Sequence, residues 1–234
     1  MSKHLLIGIA GVVSILVICV TYLQLTVLEP RVLHSNVLLL DSGSSLRDFA
    51  GTITLISDLE SPMPIMAWVM MTGRSSSLKA GEYKVSTGDS IEEIVAQVVA
   101  GKVIEHSITF PEGFEFRDII DRLNSAEPLF REEGDLSSNL IKQAIGTDHE
   151  LLEGLFFPDT YHYIRSDTPI SILRRANKVL KVKLQDAWSG KDNDLLLKSP
   201  YELLILASII EKEAVVAHEK PRISGVFILS LIHI

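Results

Sequence analysis

Cysteine is all but missing from this 234-residue chain. The single one, Cys19, lies inside a long apolar run, so no disulfide is available and any exported part must rely on its core for stability. No zinc or redox motif exists either. Positive charge is also short: 22 Lys and Arg against 30 Asp and Glu leave a net charge of −8, with an isoelectric point near 5.4. Without a basic cluster, nucleic acid is not an expected partner. Exact internal repeats are absent. Hydrophobic residues, by contrast, reach 47% and the mean hydropathy is positive, which excludes a disordered chain. At this length one large or two modest domains can each bury a core.

The apolar excess is concentrated near the start. Leu5 to Val20 is apolar apart from Ser14, and no charge interrupts the run before Glu29. About 20 such residues span a bilayer as a helix, so residues 5–28 are read as one transmembrane segment. A cleaved signal peptide would need a small-x-small site that Thr21 to Glu29 does not offer, and a lipoprotein would need a small residue where Ile18 precedes Cys19. Lys3 and His4 precede the helix, which keeps residues 1–4 as a cytoplasmic tail and the bulk of the chain on the other side, although Arg31 weakens that bias.

After the membrane the apolar run Val37 to Leu40 reads as a strand and Asp41-Ser-Gly-Ser as a turn. Leu46, Phe49, Ala50 and Ile53 then recur at helical spacing. A proline-bearing loop leads into Ile65 to Met71, whose apolar, Met-rich composition reads as core. Tyr83 sits in a strand entered through Lys79-Ala-Gly and ended by Thr87-Gly-Asp-Ser. A helix starts at Ser90 with Glu93 as its capping box, carries Ile91, Ile94, Val95, Val98 and Val99 on one face, and stops at Gly101. Val103, Ile104, Ile108 and Phe110 make the next strand, which Pro111-Glu-Gly breaks. Short helices follow at Phe116 to Leu123 and Leu140 to Ile145, with a polar loop over Arg131 to Asn139.

Leu152-Glu-Gly-Leu-Phe-Phe-Pro-Asp-Thr-Tyr-His-Tyr concentrates aromatics, and Gly154 and Pro158 forbid a continuous helix through it. Aromatic faces beside carboxylates suit sugars, because rings stack on pyranose C–H faces and Asp or Glu bind hydroxyls, although such clusters also build cores. His162 reads as a structural hydrogen-bonder. A helix opening at Thr168-Pro169 presents Ile170, Leu173, Leu180, Leu184 and Trp188 to one side. Next comes Ser-Pro-Tyr-Glu-Leu-Leu-Ile-Leu-Ala-Ser-Ile-Ile-Glu-Lys-Glu-Ala, residues 199–214. Ser199 caps it, Pro200 takes the first helical position and Glu202 completes a capping box. Leu204, Ala207 and Glu211 share a stripe, with Lys212 and Glu213 pointing elsewhere, and apolar residues fill most of the circumference, so the helix is expected to be buried nearly all round. A carboxylate kept from water there is held toward its protonated form, as a general acid requires. The pattern alone leaves open that Glu211 is a solvated rim residue or is satisfied by a neighbouring Lys or Arg.

Ala-Ser-Ile-Ile-Glu-Lys-Glu-Ala resembles the catalytic signature of the YceG-like endolytic murein lytic transglycosylases, the MltG family, and Leu-Glu-Gly-Leu-Phe-Phe-Pro-Asp-Thr-Tyr resembles that family's second signature. Leu-Lys-Ala-Gly-Glu-Tyr followed by Pro-Glu-Gly-Phe is similar to the region ahead of its catalytic part, and the strand, turn and helix order there resembles a LysM-like module. The resemblance implies an α+β fold: a transmembrane helix at 5–28, a LysM-like region at 33–110, and the N-terminal portion of a mostly helical catalytic domain at 111–234. It implies Glu211 as catalytic acid/base and Glu153, Phe157, Asp159 and Tyr161 lining a glycan groove, with no metal and no cofactor. The implied reaction cuts the β-1,4 bond between N-acetylmuramic acid and N-acetylglucosamine in nascent strands and leaves 1,6-anhydro ends. The implied partners are peptidoglycan strands, the cytoplasmic membrane and peptidoglycan synthases.

The resemblance runs from about residue 30 to 228 and does not extend into Leu229-Ser-Leu-Ile-His-Ile, where the family continues with Asp-Pro-Thr and further strands; a chain cut short is the expectation. Three rival readings stand beside the enzyme. One is a non-catalytic, membrane-anchored wall-binding or scaffolding protein that uses the LysM-like region. Another is a muramidase with two carboxylates, which would leave reducing ends. The third, a soluble cytoplasmic α+β protein, leaves Leu5 to Leu28 unexplained.

Overall fold

The computed structural model describes residues 3–129, 136–192, 195–214 and 216–233. The fold is mostly helical with minor β content. Two compact units divide the chain, Met1–Ile104 and Glu105–Ile234.

The first unit begins with α1, Lys3–Leu28, whose stretch Ile9–Leu28 is long and apolar enough to cross a membrane. It ends as part of the unit's core, because Val27 is fully buried and Leu23 packs beside it. Arg31 donates from Nε to the carbonyl of Thr26 at 3.0 Å, so a side chain satisfies a carbonyl that the helix end leaves open. Strand β1, Val37–Leu40, pairs antiparallel with β2, Gly81–Lys84, in the register Val37 to Lys84 and Leu40 to Gly81. The pleat puts Leu38 and Leu40 inward. Gly81 is required where it stands: its φ is +154°, and a Cβ there would lie 2.4 Å from Val103 Cγ1.

Helices α2, Leu46–Ile56, α3, Met63–Met71, and α4, Ile91–Ala100, cover this ribbon. Their ends follow the local chemistry. Ser45 and Asp48 form a reciprocal capping box on α2, Ser90 and Glu93 form one on α4, and Gly101 closes α4 at φ +73°. Trp68 Nε1 and Arg74 both reach the Glu92 carboxylate, which ties α3 to α4. The expectation that Ile65 to Met71 is simply core is corrected: Ile65 and Val69 are fully buried, whereas Met70 and Met71 are exposed.

In the second unit β3, His106–Thr109, pairs antiparallel with β4, Thr160–Tyr163, in the register His106 to Tyr163 and Thr109 to Thr160. The strand expected from Val103 onward is therefore shorter, and Val103 and Ile104 precede it. Strand β4 lies within the aromatic segment, where Tyr161 and Tyr163 point inward and Thr160 and His162 outward. The His162 side chain is exposed, and its carbonyl accepts from Arg175.

Helices α5, Phe116–Ser125, α6, Ser138–Ile145, and α7, Pro169–Ser189, enclose a core of Ile108, Phe110, Leu123, Ile141, Phe156, Ile172 and Leu173. Most of the polar loop expected over 131–139 falls outside the described residues. The inward face of α7 is Ile172, Leu173, Ala176, Asn177 and Leu180; Ile170, Leu184 and Trp188 are only half-buried, which corrects the expected stripe. Asn177 is buried because its amide donates to the Leu155 carbonyl at 2.8 Å, as a buried polar group requires.

Helix α8, Pro200–Glu213, packs against α7 and against α9, Lys220–His233, which a short 3₁₀ turn at Ala217–Glu219 precedes. The expectation of a helix buried nearly all round is overturned. Only Leu206 is buried, and Ile205 and Ile209 are 44% and 38% exposed.

Candidate functional site

The N-terminus of α8 is set by Ser199, whose hydroxyl accepts from Glu202 N at 3.2 Å. The Glu202 carboxylate accepts from Lys198 N, one residue earlier than a reciprocal box requires. Twelve residues after Ser199, about 18 Å along the axis, Glu211 enters the last turn. A carboxylate there faces the negative end of the helix dipole and calls for a counter-cation. Lys220, the first residue of α9, supplies it: Nζ stands 2.6 Å from Glu211 Oε2. The two side chains are 38% and 40% exposed. Glu211 is thus not the water-starved carboxylate expected from an apolar helix, because the outward face of α8 is open. The neighbouring-lysine alternative describes its surroundings. The hydrogen bond to Glu211 holds the Lys220 ammonium above the usual lysine range; desolvation opposes this, and the charges of Glu211 and Glu112 add to it.

The segment between β3 and α5, residues 110–115, gathers the other candidates. Glu112 lies within electrostatic reach of Lys220, and Glu115 Oε1 stands 3.9 Å from Lys212 Nζ. Lys212, expected to point away, therefore reaches across to α5. Glu115 also opens α5, its backbone N–H donating to Asp118 at 3.0 Å. Glu153 accepts from Phe116 N at 2.9 Å, so its carboxylate sits on the positive end of α5. Phe116 stacks on Phe156 with ring centroids 5.6 Å apart.

On the strand side Phe110 N donates to the Asp159 carbonyl at 2.9 Å, and the Phe110 ring lies 5.3 Å from that of Tyr161. The Asp159 carboxylate is exposed and accepts from Thr160 N at 2.7 Å. Tyr161 is buried and donates its hydroxyl to the Phe157 carbonyl at 2.7 Å. Burial, with a smaller push from the Asp159 charge, raises its phenol to about 12. Phe157 itself is half-buried.

Glu153 thus meets the N-terminus of α5, Glu115 meets Lys212, and Glu211 and Glu112 both act on Lys220, whereas the Asp159 carboxylate is taken up by Thr160 N and the Tyr161 hydroxyl by a backbone carbonyl. Glu112, Glu115 and Lys220 are neighbours of the pair that the sequence did not single out, their signal being the charge in Pro-Glu-Gly-Phe-Glu and Glu-Lys-Pro, which no periodicity marks. Among the described residues no three His, Cys, Asp or Glu side chains are grouped to hold a metal ion. A cavity of about 570 Å³ lies elsewhere, at the opposite end of α8, lined by His149, Asn177, Leu180, Lys181, Tyr201 and Leu204 among others. None of the site residues expected from the sequence lines this cavity.

These features define a class: a mostly helical protein with a membrane-length N-terminal helix and a carboxylate–ammonium pair at the end of an apolar helix. The chain belongs to the YceG-like family, whose model matches residues 38–231. Two curated relatives, each described as an endolytic murein transglycosylase and from Streptococcus pneumoniae strains D39 and R6, are 26% identical over 181 residues, covering 65% of this chain. The chain spans 32% of the length of those relatives. The crystal structure of a yceG-like protein from Listeria monocytogenes aligns at 22% identity with a TM-score of 0.36, over 79% of this chain and 66% of that one.

Proposed function

We propose that this chain carries the catalytic helix of an endolytic peptidoglycan lytic transglycosylase, with Glu211 as its acid/base. The observation that carries the reading is the position of Glu211, in a helix whose sequence resembles the family's catalytic signature and whose end lies by the 110–115 loop through Lys212–Glu115 and Lys220–Glu112. That the two Streptococcus pneumoniae relatives are described as endolytic murein transglycosylases is the second support. In this mechanism the Glu211 carboxyl gives its proton to the glycosidic oxygen as the bond from C1 of N-acetylmuramic acid breaks. The carboxylate then takes the proton of the sugar's own C6 hydroxyl while O6 bonds to C1. No water is consumed, and the strand ends in a 1,6-anhydro ring. One carboxyl suffices, unlike the pair a hydrolase needs.

Glu153, Phe157, Asp159 and Tyr161 form the sugar-binding wall of this reading, and residues 33–110 act as a LysM-like glycan contact ahead of a catalytic region at 111–234. The membrane helix holds the site on the extracytoplasmic side, near strands leaving peptidoglycan synthases.

The second reading is a membrane-anchored scaffold that binds glycan without cutting it. It is favoured by the resting ion pair at Glu211 and by the structural hydrogen bonds that Glu153 and Tyr161 already make. Incubation of the chain with purified glycan strands, followed by mass spectrometry, separates the two. Anhydro ends that vanish in Glu211→Gln, with its circular dichroism unchanged, support the enzyme. Binding without cleavage supports the scaffold, and equal product from the variant excludes Glu211.

A further inference from the structure

Helix α3 reads Met-Pro-Ile-Met-Ala-Trp-Val-Met-Met and contains no charged residue. Ile65 and Val69 bury one side of it in the first unit's core. On the other side Met63, Met70 and Met71 are 66%, 63% and 67% exposed, with Ala67 between them on the wheel. A helix on a water-facing surface carries polar residues outward; one that is apolar all round has an apolar surrounding on both sides. The core accounts for only one of those sides.

What lies on the other side follows from the neighbour of α3. Helix α1 packs directly against α3 and α4 through its last turns, where Leu23 and Val27 join the same core as Met66 and Trp68. The stretch Ile9–Leu28 has 20 residues, a length of about 30 Å that matches the hydrocarbon thickness of a bilayer. Leu23 lies about 8 Å inside the end of that helix. Whatever touches Leu23 is thereby brought to the edge of the bilayer, with no linker to lift it away. Methionine suits such a boundary, being apolar, unbranched and able to adapt to disordered acyl chains.

We propose that the outer face of α3, formed by Met63, Met70 and Met71, lies in the headgroup and upper acyl region of the bilayer that α1 crosses. The first unit is then not held above the membrane on a stalk. It rests on the lipid surface through a second, shallow contact, in the manner of an interfacial helix. Arg31, capping the end of α1, sits where a cation meets the headgroups. The inference is independent of the catalytic reading.

The full chain reconstituted in zwitterionic lipid nanodiscs tests it. In a Cys19→Ser background, single cysteines replacing Met63, Met70 or Met71 carry an environment-sensitive fluorophore, with one replacing exposed Asp41, in the turn after β1 of the same unit, as reference. Acyl-brominated lipids should quench the three α3 labels more strongly than the label at position 41, and aqueous iodide should quench them less. Iodide quenching of the α3 labels at the level of position 41 overturns the proposal. So does shielding from both quenchers, which would place a second copy or another protein over the face.

Discussion

Lys220 and Glu211 make a contact that sequence spacing does not announce, because nine residues and a break in the helix separate them. The pair is half-exposed, so solvent screens it and its worth as a stabilising bridge is small. Its interest lies in charge. The folded-state value of Lys220 stands above its ordinary 10.5, so the contribution to stability is fully present below that value and is lost as pH rises through the raised one. The Tm of the parent chain is expected to fall more steeply above pH 10.5 than that of Lys220→Met or of Lys220→Arg, whose guanidinium stays protonated there; a parent slope no steeper than that of either variant would show that the pair does not persist in solution. Tyr161 offers a second check. Its phenol is pushed up to about 12 by burial, so the last tyrosinate component in an absorbance titration should disappear in Tyr161→Phe. The lost hydrogen bond to the Phe157 carbonyl should cost about 1 kcal/mol.

At the scale of elements, what was legible in the sequence was what is local. Ser90 with Glu93, Gly101, Thr168-Pro169 and Ser199-Pro200 mark helix ends because capping is decided within four residues, and each is found where its chemistry puts it. Strand β4 was not legible, since its partner β3 lies more than fifty residues away and only that pairing turns Thr-Tyr-His-Tyr into a strand. The burial of α8 was misread for a related reason: apolar composition gives the number of faces that could be covered, and the neighbours decide how many are. A pair of truncations measures the difference. Ile94→Ala, at a fully buried position of α4, should cost about 2–5 kcal/mol in denaturant unfolding. Ile205→Ala, on the open face of α8, should change stability by no more than about 0.5 kcal/mol. Comparable losses would mean that something covers α8 in solution.

For the molecule as a whole, the candidate site was half legible. Glu211, Glu153 and Asp159 stand out in contiguous signatures, whereas Glu112, Glu115 and Lys220 become neighbours only once the 110–115 loop and α9 are folded. The membrane helix was legible by length, but its role in the fold was not. A hydropathy run says nothing about Thr26 and Val27 being buried in the first unit. If α1 were a mere tether, removing all of it would leave the first unit's stability unchanged. The packing implies otherwise: deletion of residues 1–22 should leave a cooperatively folding protein, because Leu23, Thr26 and Val27 remain to close the core. Deletion of residues 1–28 strips the apolar cover from that core and should lower the Tm of the first unit by several degrees or abolish its transition. Circular dichroism melts of the two deletions, compared in the same detergent-free buffer, read this directly. Equal Tm values would reduce α1 to a tether and remove the structural link between the span and the unit that follows it.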